Sequence, residues 1–241
     1  MTIEDLNVIT SGGFAEALKL LAPKFEKQFP FKVKISYGSS MGGAPDSIPA
    51  RLNRNEMFDI IILASSALEN FIQNGLVKAE TRADLVTSVI GAVVKTGSPK
   101  PDIKTVESFK HTLLNANSIA CSASASGTYI LTNLFPKLGI ADEMRAKTKK
   151  IFSERVGHVV ARSDAEISFQ QVSELIAIPG VEFIGEIPSE VQHCTVFSAG
   201  IMSNALNIKA SKDFISFLAS PMVAHSIKNT GLNPIIPTLP W

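Results

Sequence analysis

Short apolar runs alternate with helix-period stretches along almost the whole chain, and this alternation limits the possible folds more than any other feature. Runs of four to eight apolar residues read as strands, and a 3.6-residue recurrence reads as a helix. Strand candidates lie at 6–10, 32–37, 59–64, 88–95, 118–121, 167–170 and 183–184. Between the first two, Phe14, Leu18, Leu21, Ala22 and Phe25 recur at helical spacing. Further helices are expected at 47–53, 65–74, 105–114, 129–138, 156–162, 210–218 and 222–230, with a short turn at 173–176. Pro49 stands near the start of its helix, where proline is tolerated, whereas Pro136 stands late and should distort the last turn. The unbroken run at 59–64 suits a parallel strand covered on both faces. The pattern predicts an α/β fold with mixed, mostly parallel sheets.

Charge and length then remove whole classes of function. In 241 residues, 23 Lys and Arg face 22 Asp and Glu, for a net charge of +1. Such a balance gives no general attraction to nucleic acid or anionic lipid. A 45% hydrophobic chain of this length can bury a core without disulfide or metal staples. No stretch reaches the 18–20 apolar residues, roughly, of a membrane helix. Met1-Thr2-Ile3-Glu4-Asp5 lacks the basic and apolar regions of a signal peptide. The chain as it stands reads as soluble: cytoplasmic if Met1 is native, periplasmic if a signal peptide has been removed. Cys121 and Cys194 both lie beside apolar residues and read as buried small hydrophobes. His111, His158, His193 and His225 form no metal-ligand spacing, so neither metal nor cofactor is expected.

Three strand candidates run into small-residue loops that precede helices. They are Ser11-Gly12-Gly13, Ser39-Ser40-Met41-Gly42-Gly43 and the loop containing Ser126-Gly127-Thr128. None matches a nucleotide-binding fingerprint. One such loop is ordinarily a cap or a turn. Three at strand–helix junctions point to an anion held by hydroxyls and backbone N–H groups.

These motifs, in this order, resemble the periplasmic molybdate-binding proteins of the type II solute-binding fold. The likeness rests on Ile9-Thr10-Ser11-Gly12-Gly13-Phe14, Tyr37-Gly38-Ser39-Ser40, Phe58-Asp59-Ile60-Ile61-Ile62, Ser126-Gly127-Thr128-Tyr129 and Phe214-Ile215-Ser216-Phe217-Leu218-Ala219-Ser220-Pro221. It implies two lobes, 1–84 with 198–241 and 85–197. Hinge crossings would fall near 86–94 and 195–199, with a ligand cleft between the lobes. It also implies an ABC permease as partner if the protein is exported.

Several residues depart from a molybdate site. Where that family typically offers a tyrosine after a strand of the second lobe, this chain has Gln170 and Gln171. The second loop is longer, and Lys95 follows an apolar run. These features are similar to a divergent branch that includes a bacterial aconitate isomerase, which interconverts cis- and trans-aconitate. A polycarboxylate needs cationic partners, for which Lys95, Arg51 and Arg155 are candidates, with Gln170 and Gln171 as neutral hydrogen-bonders. Isomerisation by a proton shift needs a base, for which Lys95 comes first and His158 second, with Tyr129 and Glu154 as other proton carriers. Glu174 reads as a capping or solvated residue. The alternative is a molybdate- or tungstate-binding component of a transporter, held by Ser11, Ser39 and Ser126.

Overall fold

A computed structural model describes residues 4–241; the opening Met1-Thr2-Ile3, on which part of the N-terminal reading falls, lies outside the described residues. In chain order the first strands and helices are β1 (Glu4–Thr10), α1 (Gly12–Glu26), β2 (Phe31–Tyr37), α2 (Ile48–Asn53), β3 (Ile60–Ala64), α3 (Ser65–Gln73) and β4 (Ala83–Ser88). There follow β5 (Ile90–Lys95), α4 (Val106–Asn115), β6 (Ile119–Ser122), α5 (Ala125–Tyr129), α6 (Phe135–Lys137), α7 (Ala141–Lys147), β7 (Thr148–Ile151), α8 (Val156–Ala161), β8 (Ile167–Gln171), α9 (Val172–Leu175) and β9 (Val181–Glu186). The last are β10 (Thr195–Ile201), α10 (Ile208–Leu218), α11 (Pro221–Lys228) and β11 (Asn233–Pro234).

The chain divides into two compact units. The first runs to Ser88 and resumes at Val196–Trp241; the second is Val89–Thr195. The first holds a six-stranded sheet of order β11-β4-β10-β3-β1-β2, the second a five-stranded sheet of order β7-β6-β8-β5-β9. Each sheet contains a parallel triplet, β2-β1-β3 or β7-β6-β8. Beside each triplet runs an antiparallel strand, β10 against β3 and β5 against β8.

The helices form where apolar spacing and capping agree. Helix α1 buries Phe14, Leu18, Leu21 and Phe25, which lie along one face. Phe25 stacks on Phe29 at 4.3 Å and meets Phe214 edge-on at 4.7 Å, which ties α10 to α1. Thr105 and Ser108 form a reciprocal capping box at the start of α4. Ser47 accepts from the Ala50 N–H at the start of α2.

The structure corrects four expectations. The apolar run 88–95 is not one strand: it breaks at Val89, and β4 extends back to Ala83. The two pieces pair in different sheets. The helix expected at 129–138 begins at Ala125 and passes through a π-helical segment, Ile130–Leu134. Pro136 supplies no N–H to the ladder, and the widened turn just before it accommodates the missing bond. Strand β7 gave no apolar signal because it is an edge strand whose Lys149 and Lys150 are exposed. Cys121 is buried, and burial pushes its thiol up to about 12, but Cys194 is exposed; both are free thiols. The C-terminal tail is a packing strap, since Trp241 Nε1 donates to Ser216 Oγ at 3.1 Å. No helix among the described residues is long and apolar enough to cross a membrane.

Candidate functional site

In the first unit the carboxyl ends of β1, β2 and β3 lie together, because the triplet is parallel. Hydrogen bonds join the three loops that leave them. The Ser11 N–H donates to the Ile62 carbonyl at 2.9 Å and the Gly38 N–H to the Thr10 carbonyl at 3.1 Å. The Ala64 N–H donates to Ser40 Oγ at 3.1 Å, and Ser39 Oγ donates to the Met41 carbonyl at 2.8 Å. Ser39 and Ser40 therefore shape the second loop, and Met41 packs against the core that contains Ile9 and Ile48. Ser11 is different. It precedes α1 with extended backbone, its side chain makes no capping bond, and its buried Oγ has no hydrogen-bond partner. A buried hydroxyl left this way costs free energy, which a ligand acceptor would recover. Gly12 and Gly13 begin α1, and Gly13 lies so close to Phe197 that a Cβ would come within 2.1 Å of the ring.

Arg51 does not stand free for a carboxylate ligand. Its Nε donates to Glu56 at 2.8 Å, another guanidinium nitrogen donates to the Tyr37 carbonyl at 2.9 Å, and the group lies over the Phe58 ring. Arg51 and Arg54 together hold the Glu56 carboxyl below its ordinary range. Arg82, a residue that the sequence patterns did not single out, donates to Ser65 Oγ at 2.7 Å and pairs with Asp84 and Glu69. Both arginines are locked into the frame of the unit.

In the second unit the parallel triplet gathers the ends of β7, β6 and β8. These ends carry Arg155, the loop with Ser126, and the pair Gln170 and Gln171. Ser126 is buried, and its Oγ lies 3.3 Å from Ser122 Oγ. Gly127 crosses so close to β6 that a Cβ would lie 1.8 Å from the Ser122 carbonyl oxygen. Thr128 continues α5, and its carbonyl accepts from Thr132 Oγ1. Gln171 donates from Nε2 to Thr195 Oγ1 at 3.0 Å, while its buried Oε1 has no partner.

The second amide leads to Glu174, which the sequence reads as a capping or solvated residue but which the fold buries. Gln170 Oε1 accepts from the Val156 N–H at 3.1 Å, and its Nε2 donates to Glu174 Oε2 at 2.7 Å. Glu174 is 8% exposed. Burial pushes its carboxyl up to about 7, against the pull of the Arg155 guanidinium, which favours the ionised form. A carboxyl that titrates near neutrality can both take and give a proton.

The other proton-carrier candidates lie elsewhere or are committed. Strand β5 runs antiparallel to β8, so Ile90 sits opposite Gln171 and Lys95 is at the far end of the strand. Five strand steps put about 17 Å between them. Lys95 is exposed and donates to Ser163 Oγ at 2.7 Å. His158 points out from α8, whose Val159 and Val160 face the core. Tyr129 donates to the Val191 carbonyl at 2.9 Å and stacks on His193; burial raises its phenol above the ordinary value. Glu154 is held by Arg162 through two 2.6 Å bonds, which lower its carboxyl. A cavity of about 690 Å³ lies beside Val94 and Ile167, at the Lys95 end of the sheet, and none of the candidate residues lines it. Among the described residues no cluster of three or more His, Cys, Asp or Glu is arranged to hold a metal ion.

Known proteins share both the sequence and the fold. The family described as bacterial extracellular solute-binding protein matches residues 6–233. A curated relative from Pseudomonas sp., named aconitate isomerase, is 40% identical over 233 residues, covering 97% of this chain and 89% of its own. The periplasmic molybdate-binding protein of Azotobacter vinelandii superposes with a TM-score of 0.74 at 22% identity, covering 97% of this chain and 100% of its own. A tungstate-binding protein from Desulfovibrio alaskensis G20 superposes at 0.66 with 15% identity, covering 96% and 99%. At these identities the two structures speak for the fold.

Proposed function

We propose, from the premise that this chain belongs to the bacterial extracellular solute-binding proteins, that it binds aconitate and interconverts the cis and trans isomers by moving one proton. The observation that carries this reading is the set of groups at the carboxyl ends of β7, β6 and β8. Two carboxamides, a half-buried arginine and a buried carboxyl that titrates near neutrality stand on one edge of one sheet. A tetrahedral oxyanion needs only neutral donors, whereas a polycarboxylate calls for a cation and amides, and a proton shift calls for a group that changes charge. The identity to a protein named aconitate isomerase supports the same reading.

Each part of the site then has a task. Arg155 faces a carboxylate of the substrate, and Gln171, whose Nε2 is held by Thr195 Oγ1, shapes the site beside it. Ser126 and the N–H groups around Gly127 and Thr128 support the negative charge that builds up on a carboxylate as the neighbouring C–H bond breaks.

One observation favours a second reading: the unpartnered Ser11 hydroxyl, in a loop whose other donors are neutral, also suits molybdate or tungstate. In that reading the protein is periplasmic and hands its ligand to a membrane permease. A single experiment separates the two. Purified protein is incubated with trans-aconitate and the appearance of cis-aconitate is followed by chromatography, with thermal shifts measured for trans-aconitate, molybdate and tungstate. Catalytic conversion with a shift for aconitate is expected. No conversion, with a shift for molybdate or tungstate alone, would leave the transport reading.

A further inference from the structure

Resting on the aconitate reading, we infer that Glu174 is the group that carries the proton and that Gln170 positions it. The two partners of the Gln170 amide fix its orientation. A backbone N–H can only donate, so the group facing the Val156 N–H must be the amide oxygen. The other end of the amide, an NH₂ donor, then faces Glu174 Oε2. With that oxygen occupied as an acceptor, a proton on Glu174 sits on Oε1. Gln170 thus chooses which carboxyl oxygen works and fixes its direction.

Position agrees with this role. Glu174 lies in α9, which follows β8 directly, on the sheet edge that also carries Ser126 and Arg155. Arg155 is the charged group that acts on it, and its positive charge keeps the carboxylate accessible despite burial. Lys95 stands at the opposite end of the sheet, and Glu154 is held in its ion pair with Arg162.

The step balances with this one carboxyl. Glu174 Oε1, as carboxylate, removes a proton from the methylene carbon of aconitate. The C–H electrons form a double bond to the central carbon, and the pair from the old double bond moves out as enolate-like charge on the adjoining carboxylate. The former vinyl carbon then takes the same proton back from Oε1. The double bond has moved by one carbon, Glu174 is again ionised, and no other reactant is used.

The test compares wild type with Glu174→Gln, which keeps the shape and removes the proton carrier. Conversion of trans-aconitate should fall roughly 100-fold or more, the usual size of a general-base contribution, while the thermal shift given by trans-aconitate persists. Two further variants keep the result independent of folding. In wild type, kcat should rise with pH on the acid side, since the carboxylate is the form that removes the proton. That limb should move in Glu174→Asp. It should move to higher pH in Gln170→Leu, which loses the donor to Oε2; lost packing alone would lower kcat without moving the limb. Turnover in Glu174→Gln within a few-fold of wild type would overturn the assignment, as would loss of the thermal shift together with turnover, or an unmoved limb in both other variants. If wild type itself converts neither isomer, the aconitate reading falls and the assignment with it. If wild type converts and Glu174→Gln matches it, only the assignment falls.

Discussion

The two units carry the same parallel triplet and the same antiparallel neighbour, yet they treat their polar groups in opposite ways. At the loop end of the first unit, the charged groups are neutralised on site: Arg51 by Glu56, Arg82 by Asp84 and Glu69. What is left for a ligand is a buried serine hydroxyl and backbone N–H groups. At the loop end of the second unit, a carboxyl has been taken into the interior with one amide on it, next to an arginine. One topology therefore serves two purposes. The first unit offers fixed neutral donors, which hold charge without changing their own. The second offers a group whose charge changes near neutral pH. Topology places the loops; the polar partners around each side chain decide which of them can react.

That comparison breaks first at its glycines. A Cβ on Gly127 meets the Ser122 carbonyl oxygen at 1.8 Å, and backbone in a strand cannot step aside cheaply. A Cβ on Gly13 meets the Phe197 ring at 2.1 Å, and a ring can swing. Gly127→Ala should therefore cost on the order of 4 kcal/mol in denaturant unfolding, in the range of strained or overpacked cores. Gly13→Ala should cost about 1–3 kcal/mol, the overpacking range, and Phe197→Leu in the same chain should recover most of it. Equal losses in both variants would mean that the second unit's loop is no more rigid than the first's.

The buried carboxyl of Glu174 makes stability depend on pH. Its folded value of about 7 lies above the ordinary 4.5, so the folded protein holds this proton more tightly than the unfolded chain does. Below about pH 4.5 both states are protonated and Glu174 costs nothing. As pH rises through about 7 the cost grows to its full size, on the order of 3 kcal/mol at 1.36 kcal/mol for each unit. Glu174→Gln should thus be more stable than wild type at pH 8, with the difference closing towards pH 4.5. Urea midpoints measured at both pH values check this. A constant difference would mean that Glu174 is solvated in the folded state. The sign expected here, a gain in stability with a loss of turnover, is the one found where a site is kept at the expense of the fold.

How much of this the sequence disclosed depends on distance along the chain. The three small-residue loops and the strands leading into them are local, so their order was legible. The helix starting near Thr105 and the late Pro136 were legible for the same reason. Strand direction was not. The apolar run at 90–95 reads alike in either orientation, and only its antiparallel pairing with β8 takes Lys95 away from Gln171. Ion pairs were not legible either: Arg51 with Glu56 and Arg162 with Glu154 close in space and leave no periodic trace. Glu174 was missed because Val172–Leu175 makes one turn of helix, too short for a pattern, and its burial depends on how α8 and β8 meet. The i to i+4 spacing of Gln170 and Glu174 across a strand–helix junction is the one signal that pointed to it.

The smallest expected effect separates two serines of the first unit. Ser40 and Ser11 are both buried, at the ends of adjacent strands. Ser40 Oγ accepts from the Ala64 N–H, so Ser40→Ala leaves a buried donor without a partner. That should cost about 1–2 kcal/mol, within the range for an unsatisfied buried group. Ser11 Oγ has no such partner, so Ser11→Ala removes a desolvated hydroxyl together with its penalty. The unliganded protein should be unchanged or slightly more stable, by less than about 1 kcal/mol. Binding should respond in the reverse order. If the ligand supplies the acceptor that Ser11 lacks, Ser11→Ala should weaken binding of molybdate or tungstate by roughly tenfold, the worth of one hydrogen bond to a charged group. Ser40→Ala should weaken it less. Unfolding midpoints and calorimetric titration of the two variants decide the matter. Lower stability of Ser11→Ala with unchanged affinity would show that the hydroxyl serves the fold, and the first unit would then hold its ligand through backbone N–H groups alone.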